Sequence, residues 1–359
     1  MQDWKAKTVV LTGATSGLGR ATALAFARRG FTIIVAGRRR EALDALVASC
    51  DELGARAVSC EGDITQEADV QRLLETALAV NGRIDIWVNN AGVTLFAKLD
   101  EAPFDEHRRV IETNVIGSML CARAVMPVFR RQEYGVLINV GSVLSKVGQP
   151  FVPSYVISKF AIRGLTEALR ADVAEMPHVH VCTLLPYAID TQHFEAGANY
   201  TGHRAYPMQP VQEPEVVARA LVNLAMKPAR ERHVPRWIAL GYILRALFPR
   251  FTERLTGRLL ERWHLGPRLQ PPTSGNLFRP EEKPGTVHGH RPPLASNTQL
   301  VVGAAREAVA LATQMCAARV RRWWTLGVSL PVAIIADGLR YAWTRTSAQQ
   351  RLLPSRPKA

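Results

Sequence analysis

The amino-acid sequence predicts an α/β protein with a doubly wound parallel sheet, followed by a helical, basic C-terminal extension. Short β-rich segments alternate with helical patterns over the first two thirds of the chain, which is typical of repeated βαβ units. Several of these segments are almost entirely apolar, as strands covered by helices on both faces must be. Charge separates the two parts: residues 229–359 hold 21 Lys/Arg and 7 Asp/Glu, whereas residues 1–228 hold 24 of each.

Six strands are predicted, with amphipathic crossover helices between them. The strands are Thr8–Leu11, Phe31–Ala36, Ala55–Cys60, Ile84–Asn89, Gly135–Val140 and Val179–Leu185. A further helical pattern runs from Glu213 to Met226 and ends at Lys227-Pro228, where the sheet unit is expected to close.

A glycine-rich segment, Thr12 to Gly19, follows the first strand, and a helical pattern starts at Arg20. Glycines at this place let the main chain approach a pyrophosphate closely, and the helix N-terminus offers N–H groups and a positive dipole end. A tight turn without a ligand would also use glycine. The position directly after the first strand favours a dinucleotide site.

The second strand is followed by Arg38, Arg39 and Arg40 where an NAD site would usually offer an acidic residue to the ribose 2′-hydroxyl. Guanidinium groups bind phosphate through several donors, so Arg38 predicts a preference for NADP(H) over NAD(H). Solvated charges at the start of a helix are the alternative.

Three more motifs follow in order: Asn89-Asn90-Ala91-Gly92, Gly141-Ser142, and Tyr155 with Lys159 in Y-x-x-x-K. Together with the glycine-rich segment, they resemble the short-chain dehydrogenase/reductase family over roughly residues 5–230. The resemblance implies a Rossmann fold and a hydride transfer between NAD(P)(H) and a carbonyl or alcohol.

The spacing of Tyr155 and Lys159 has a physical meaning of its own. Residues four apart lie on one face of a helix, so the two side chains should converge. A phenol has an ordinary pKa of about 10, and a nearby ammonium should lower the pKa of Tyr155 by favouring the phenolate. That change would make Tyr155 a usable acid and base.

The resemblance also implies roles for individual residues. Tyr155 is expected to transfer the proton, Lys159 to tune it and bind the nicotinamide ribose, and Ser142 to polarise the substrate oxygen. Asn114 matches the asparagine that holds a proton-relay water, although a buried asparagine that only fastens a helix would look the same. The expected cofactor-binding residues are Gly13, Thr15, Ser16, Gly17, Leu18, Gly19, Arg38, Asp63, Asn90, Ala91, Gly92, Tyr155, Lys159, Pro186, Ile189 and Thr191.

The segment after the sixth strand departs from the family pattern, because Tyr187 follows Pro186 where glycine is usual. Tyr187 must therefore adopt a compatible backbone conformation or displace the loop over the nicotinamide. The next loop, from Gln192 to Pro210, is rich in aromatic residues and histidine. It predicts a lid over an apolar or ring-containing substrate; aromatics that merely fill the loop, with exposed His193 and His203, are the alternative.

The basic C-terminal third contains an amphipathic pattern, Phe251 to Trp263, and an apolar segment flanked by arginines, Trp323 to Trp343. Both are compatible with peripheral membrane association; packing over the substrate pocket or against a second subunit is the alternative for the first. Pro331, Asp337 and Arg340 argue against a membrane span. Nucleic-acid binding is not expected, since no recognition motif is present.

The predicted divisions are a catalytic domain at 1–235, an amphipathic helical extension at 236–265, a Pro/Gly-rich linker at 266–297 and a helical tail at 298–359. The five cysteines are scattered without ligand spacing, so no metal is expected. Reduced cysteines and the lack of a signal-peptide pattern predict a cytoplasmic protein, with the face of a membrane as a possible location.

The sequence thus predicts an NADP(H)-dependent oxidoreductase that interconverts a carbonyl and an alcohol on a small apolar molecule. The alternative is a non-catalytic NADP(H)-binding sensor or membrane-associated scaffold with the same fold. Family members usually form homo-oligomers, but the long C-terminal third could block or replace that contact.

Overall fold

The computed structural model describes residues 7–281, 285–289, 307–311 and 313–315. The chain divides into two compact units, Met1–Leu300 and Val301–Ala359. In the second unit, the described residues 307–311 and 313–315 are helical. The sheet lies in the first unit.

Seven of eleven strands in the described part form one parallel sheet, in the order β10-β7-β6-β4-β1-β2-β3. The other four form two short pairs, β5 with β8 and β9 with β11. The strands are β1 (Thr8–Thr12), β2 (Thr32–Gly37), β3 (Ala57–Glu61), β4 (Ile86–Asn89), β5 (Leu95–Phe96), β6 (Gly135–Val140), β7 (Val179–Pro186), β8 (Ala198–Asn199), β9 (His203–Ala205), β10 (Glu231–Val234) and β11 (Leu265–Leu269).

Helices cover both faces of the sheet, and a π-helical turn, Glu112–Ile116, joins two of them. The helices are α1 (Gly17–Ala27), α2 (Arg40–Glu52), α3 (Glu67–Asn81), α4 (Phe104–Ile111), α5 (Gly117–Gln132), α6 (Pro153–Asp172), α7 (His193–Ala196), α8 (Pro214–Met226), α9 (Ala239–Leu247) and α10 (Pro249–Trp263).

The core has two layers because successive side chains of a strand point to opposite faces. On one face, Leu11 and Ile33 belong to the cluster that includes Phe26 of α1. On the other face, Val10 belongs to the cluster that includes Phe129 of α5. The predicted doubly wound fold is confirmed.

β10 extends the sheet beyond the six strands that the sequence predicts. It contains Glu231, Arg232, His233 and Val234, a polar composition that gives no apolar run. Parallel pairing with β7 holds it in place, with Arg232 opposite Leu184. It is an edge strand, so polar side chains can remain partly accessible there.

The structure differs from the predicted linker at 266–297 over its first part. β11 pairs with β9 in antiparallel orientation, and further along the chain Leu277 is completely buried beside Leu95 and Ala198. Gly275 has a φ of +47°, and a Cβ there would lie 2.4 Å from the Ala196 carbonyl oxygen, so this close packing requires glycine. Residues 266–281 of the predicted linker thus include a paired strand and a buried leucine.

The predicted amphipathic extension contains α9 and α10. Phe251, Leu255 and Leu259, which form the predicted apolar stripe, are partly buried. None of the helices in the described part has the length and apolarity needed to cross a membrane. The apolar segment Trp323 to Trp343 lies outside the described residues. The four predicted divisions of the chain stay a prediction.

Replacement of Leu277 by alanine tests whether this segment is part of the fold. Leu277 has no exposed surface, so Leu277→Ala should lower the free energy of unfolding by about 2 to 5 kcal/mol through lost burial and a cavity. Leu269→Ala is the matched control, because Leu269 is 82% exposed and its loss should cost under about 0.5 kcal/mol. Urea denaturation measures both; equal, small effects would show that residue 277 does not pack.

Candidate active site

One cavity of about 320 Å³ lies at the carboxyl ends of β1, β4 and β6. Parallel strands end at the same edge of a sheet, and the strand order reverses between β1 and β4, which opens a crevice there. Every residue predicted for the site except Asn114 lines this cavity. The structure therefore brings together motifs that are far apart in the sequence.

The glycine-rich turn between β1 and α1 is held by Asn90. Its Nδ2 donates to the carbonyl oxygens of Thr12 and Gly13, each at 3.0 Å. Gly13 has a φ of +64°, and a Cβ on Gly19 would lie 2.0 Å from the Gly13 oxygen. Asn90 thus supports the turn, and the glycines are required for its close packing.

The chemistry of the cavity wall fits a dinucleotide. Ser16 precedes α1 but its side chain makes no capping bond. The Gly17 amide donates to the Thr286 carbonyl oxygen, and Leu18 and Gly19 carry the next two amides of the first turn. These N–H groups and the helix dipole suit a phosphate. Arg38 and Arg39 line the same end of the cavity and supply further donors for an anion.

The two charged residues predicted at the adenosine end are held by neighbouring groups. Nη2 of Arg109 lies 2.6 Å from Oδ2 of Asp63, and Thr65 donates to Oδ1 of Asp63 from its amide and hydroxyl. Burial alone would raise the pKa of Asp63, but the hydrogen bonds from Thr65 and Arg109 outweigh it and lower the pKa. Arg38 donates to the carbonyl oxygens of Asn276 (2.7 Å) and Leu277 (3.3 Å).

Ser142, Tyr155 and Lys159 meet beyond the end of β6. Pro153 starts α6, which places Tyr155 and Lys159 on one helical face, with the Lys159 Nζ 5.3 Å from the centre of the Tyr155 ring. Nζ also donates to the Val140 carbonyl oxygen at 2.8 Å. Ser142 caps a short helical turn by accepting from the Leu144 amide and is hydrogen-bonded to Tyr155.

The protonation of Tyr155 differs from the sequence prediction. Burial raises the pKa of Tyr155 to about 12, and the hydrogen bond with Ser142 only partly opposes it. Burial also lowers the pKa of Lys159 to about 8. The predicted lowering of the Tyr155 pKa by Lys159 is wrong for this structure, because desolvation disfavours both charged forms. Tyr155 carries its proton at neutral pH.

Asn114 lies behind the cavity wall, on the π-helical turn. Its Oδ1 accepts from the Val93 amide at 2.8 Å, and its Nδ2 donates to the Val93 carbonyl and to the Ser158 hydroxyl. These bonds tie the turn to α6 and to the segment after β4. The side chain thus has the fastening contacts of a buried asparagine, and its part in a proton relay stays a prediction.

Tyr187 is accommodated without backbone strain. Its φ is not positive; in the described part, the non-glycine residues with a positive φ are Glu133 and Phe151. Its amide donates to the Val234 carbonyl, and its hydroxyl donates to the Gln209 carbonyl. The loop after β7 therefore keeps Ile189 and Thr191 at the cavity, as predicted from the sequence.

The other end of the cavity is lined by aromatic rings. His193 lies 5.6 Å from Tyr155, and Phe96 lies 5.9 Å from Phe194 and 5.5 Å from His264, measured between ring centres. Burial lowers the pKa of His193, with help from the Lys159 charge, and the pKa of His264, each to about 4. Both imidazoles are therefore neutral at physiological pH.

The aromatic lid is only partly as predicted. His193, Phe194 and Met208 line the cavity, whereas Tyr200 donates to Glu106 and His203 contacts the Gly266 carbonyl. Sequence analysis missed Phe96, His264 and Arg109. Phe96 and His264 lie in segments without a motif, and their approach to Tyr155 depends on long-range packing.

Comparison with known proteins gives a consistent result. The family model for short chain dehydrogenase matches residues 7–199. The chain is 34% identical to the uncharacterized oxidoreductase YxnA of Bacillus subtilis, over 72% of this chain and 74% of that protein. It is 32% identical to 3beta-hydroxysteroid dehydrogenase 1 of Eggerthella lenta, over 63% of this chain and 89% of that protein.

A solved structure is similar in fold and in sequence. It is an alcohol dehydrogenase from Thermococcus sibiricus complexed with 5-hydroxy-NADP, with 26% identity and a TM-score of 0.56. The similarity covers 63% of this chain and 95% of that one.

The two neutral histidines make stability depend on pH. Because the ordinary pKa of 6.5 is lowered to about 4 on folding, the unfolded chain binds the protons first as the pH falls. The free energy of unfolding should therefore decrease as the pH falls from 6.5 to 4. Each of the two groups contributes up to about 1.4 kcal/mol per pH unit.

Urea denaturation across this pH range checks the effect. His264→Gln should reduce the slope of the free energy of unfolding against pH, since it removes one of the groups whose pKa is lowered to about 4. His178→Gln, at an exposed position, is the control. The His178 charge helps burial to lower the pKa of His180, so this variant should change the slope, but much less than His264→Gln does. An unchanged slope in His264→Gln would contradict a neutral, buried His264.

Proposed function

Because the chain belongs to the short-chain dehydrogenase/reductase family of NAD(P)-dependent oxidoreductases, we propose that it interconverts a carbonyl and an alcohol on an apolar molecule, with NADP(H) as its cofactor. The observation that carries this proposal is the meeting of Ser142, Tyr155 and Lys159 at the end of β6, on the wall of the same cavity as the glycine-rich turn. A hydroxyl, a phenol and an ammonium lie together there, as proton transfer to a carbonyl oxygen requires.

In the proposed reduction, Tyr155 donates its proton to the substrate oxygen. Its pKa of about 12 keeps the proton in place until negative charge develops on that oxygen. The Ser142 hydroxyl binds the same oxygen and stabilises this charge. Bound NADPH would supply the hydride.

Lys159 holds a positive charge near Tyr155 for part of the neutral range. Its pKa of about 8 means that the ammonium is the major form at pH 7 and the minor form above pH 8. The charge supports the phenolate that remains after proton transfer. The bond to the Val140 carbonyl fixes Nζ on the side of the cavity next to β6.

Arg38 supports the preference for NADP(H). It follows β2, lines the cavity and stands where an NAD site usually has an acidic residue. Its guanidinium has five N–H donors, and the two bonds to Asn276 and Leu277 leave others for a phosphate.

The lining of the substrate end supports an apolar or ring-containing substrate. It includes Phe96, Leu144, Val152, Phe194 and Met208, beside the neutral imidazoles of His193 and His264. Apolar walls with a few polar groups at the reacting end are typical of sites for such molecules. The relative from Eggerthella lenta is named for a hydroxysteroid, a molecule of this kind.

A non-catalytic NADP(H) sensor or scaffold is less well supported. Such a protein has no need for the combination of Ser142, Tyr155 and Lys159, and all three are present around one cavity. Peripheral membrane association and homo-oligomer formation stay predictions. The first is supported by Ile243 and Leu247 of α9 and by Phe248, which follows it; all three are exposed next to the basic α10.

Removal of the Tyr155 hydroxyl tests the mechanism. Tyr155→Phe should reduce the turnover number by about 10² to 10⁴ because the proton donor is lost, while NADPH still binds. Tyr134→Phe is the matched control: Tyr134 precedes β6 at its opposite end and accepts from Lys7. Oxidation of NADPH with a panel of apolar ketones and aldehydes measures turnover. Equal turnover in the two variants would refute the role of Tyr155.

Removal of the Arg38 guanidinium tests the cofactor preference. Arg38→Ala should raise the Kd for NADPH by about tenfold or more, corresponding to about 1.4 kcal/mol, and change the Kd for NADH much less. Arg40→Ala is the control, since Arg40 is exposed and pairs with Asp44. Fluorescence titration gives the Kd of each variant and of the unaltered chain for both cofactors. An equal loss of affinity for NADPH and NADH in Arg38→Ala would contradict recognition of a 2′-phosphate.

A further inference from the structure

Residues 276–281 and 285–289, here called the strap, cross the cofactor end of the cavity. The carbonyl oxygens of Asn276 and Leu277 accept from Arg38, and the Leu277 oxygen also accepts from Nε of Arg109 at 3.1 Å. Further along, the Thr286 carbonyl oxygen accepts from the Gly17 amide at 2.8 Å. The strap thus contacts three elements at the cofactor end: the segment after β2, α4 and the start of α1.

The strap is attached to the sheet unit near both of its ends. At the first, the Asn276 amide donates to the Ala196 carbonyl at 2.8 Å, and Leu277 is buried. At the second, Nε2 of His288 lies 2.9 Å from Glu215, and its Nδ1 lies 3.7 Å from Asp190 and from Glu213. These contacts place it across the cavity as part of the folded unit.

The contacts of His288 also explain a cluster with metal-like spacing. Ligand atoms of Asp190, Glu213 and His288 lie within 4.8 Å of one another, the one such group in the described part of the chain. The imidazole lies between the carboxylates, where it can pair with them directly. We assign this cluster to attachment of the strap.

The first part of the strap forms a wall of the cavity. Asn276, Pro280 and Glu281 line it together with Arg38 and Asp63. The carbonyl groups of Asn276 and Leu277 hold the Arg38 guanidinium, which restricts its rotamers before a ligand arrives. Preorganisation of this kind lowers the entropy lost when a charged side chain binds a phosphate.

We propose that the strap is part of the cofactor site: the carbonyl groups of Asn276 and Leu277 orient Arg38 toward the 2′-phosphate of NADP(H), and the strap closes the adenosine end so that the dinucleotide leaves slowly. The inference rests on the proposed function, since it assumes that this cavity binds NADP(H). It extends the site to residues that lie beyond the region matched by the family model.

Gly285 offers a way to lift the strap without a change in the catalytic or phosphate-binding residues. A Cβ on Gly285 would lie 1.9 Å from the Thr15 carbonyl oxygen, so Gly285→Ala must force the strap and the glycine-rich turn apart. Gly257→Ala is the matched control, since a Cβ there meets no described atom within 4 Å. Both are made in the full chain, and thermal unfolding verifies that each variant is folded.

Stopped-flow fluorescence then measures the dissociation rate and Kd of NADPH. Gly285→Ala should increase both by about tenfold, the equivalent of about 1.4 kcal/mol in binding, while Gly257→Ala matches the unaltered chain. Tighter NADPH binding by Gly285→Ala would mean that the strap competes with the cofactor and would overturn the proposal. Equal values for the two variants would overturn it as well.

Hydrogen exchange in the unaltered chain provides a second measurement. NADPH should slow amide exchange in peptides from residues 276–281 and 285–289, because a wall closed over the dinucleotide opens less often. Faster or unchanged exchange would contradict the proposal. If the unaltered chain binds neither NADPH nor NADH, the proposed function itself fails; if it binds NADPH and the strap tests fail, only the role of the strap is lost.

Discussion

The site depends on the close approach of two turns, one after β1 and one after β4. A Cβ on Gly13 would lie 2.6 Å from the Cα of Ala91, so the two turns can meet only where a side chain is absent. Asn90 fastens them through the carbonyl oxygens of Thr12 and Gly13. This contact fixes the N-terminus of α1 at the crevice where the strand order reverses, and the remainder of the cavity is arranged around it.

Burial divides the cavity into two electrostatic regions. At the substrate end, desolvation favours the neutral forms of Tyr155, His193 and His264. At the cofactor end, Arg38 keeps its charge beside the ion pair of Asp63 with Arg109. An end with few fixed charges suits an apolar substrate, and a cationic end suits a phosphate, so one cavity can orient both partners of a hydride transfer.

The chain after β10 completes walls that the sheet leaves open. His264 reaches the substrate end directly after α10, and β11 pairs with β9 beside it. Leu277 then fills a small apolar cluster with Leu95 and Ala198. The chemistry of the reaction thus lies in the region matched by the family model, while the later residues shape access to it.

The sequence by itself determined the sheet and the motif residues around the cavity. Apolar runs such as Ile33-Ile34-Val35 define buried parallel strands, and parallel strands end at one edge of the sheet. Gly13, Asn90 and Ser142 each follow such a strand, so they had to meet at that edge. Only the tertiary structure decided the protonation of Tyr155, because burial depends on what packs over the ring and not on the spacing to Lys159. The polar strand β10 and the positions of His264 and Leu277 were likewise decided by long-range contacts, which leave no periodic pattern in the sequence.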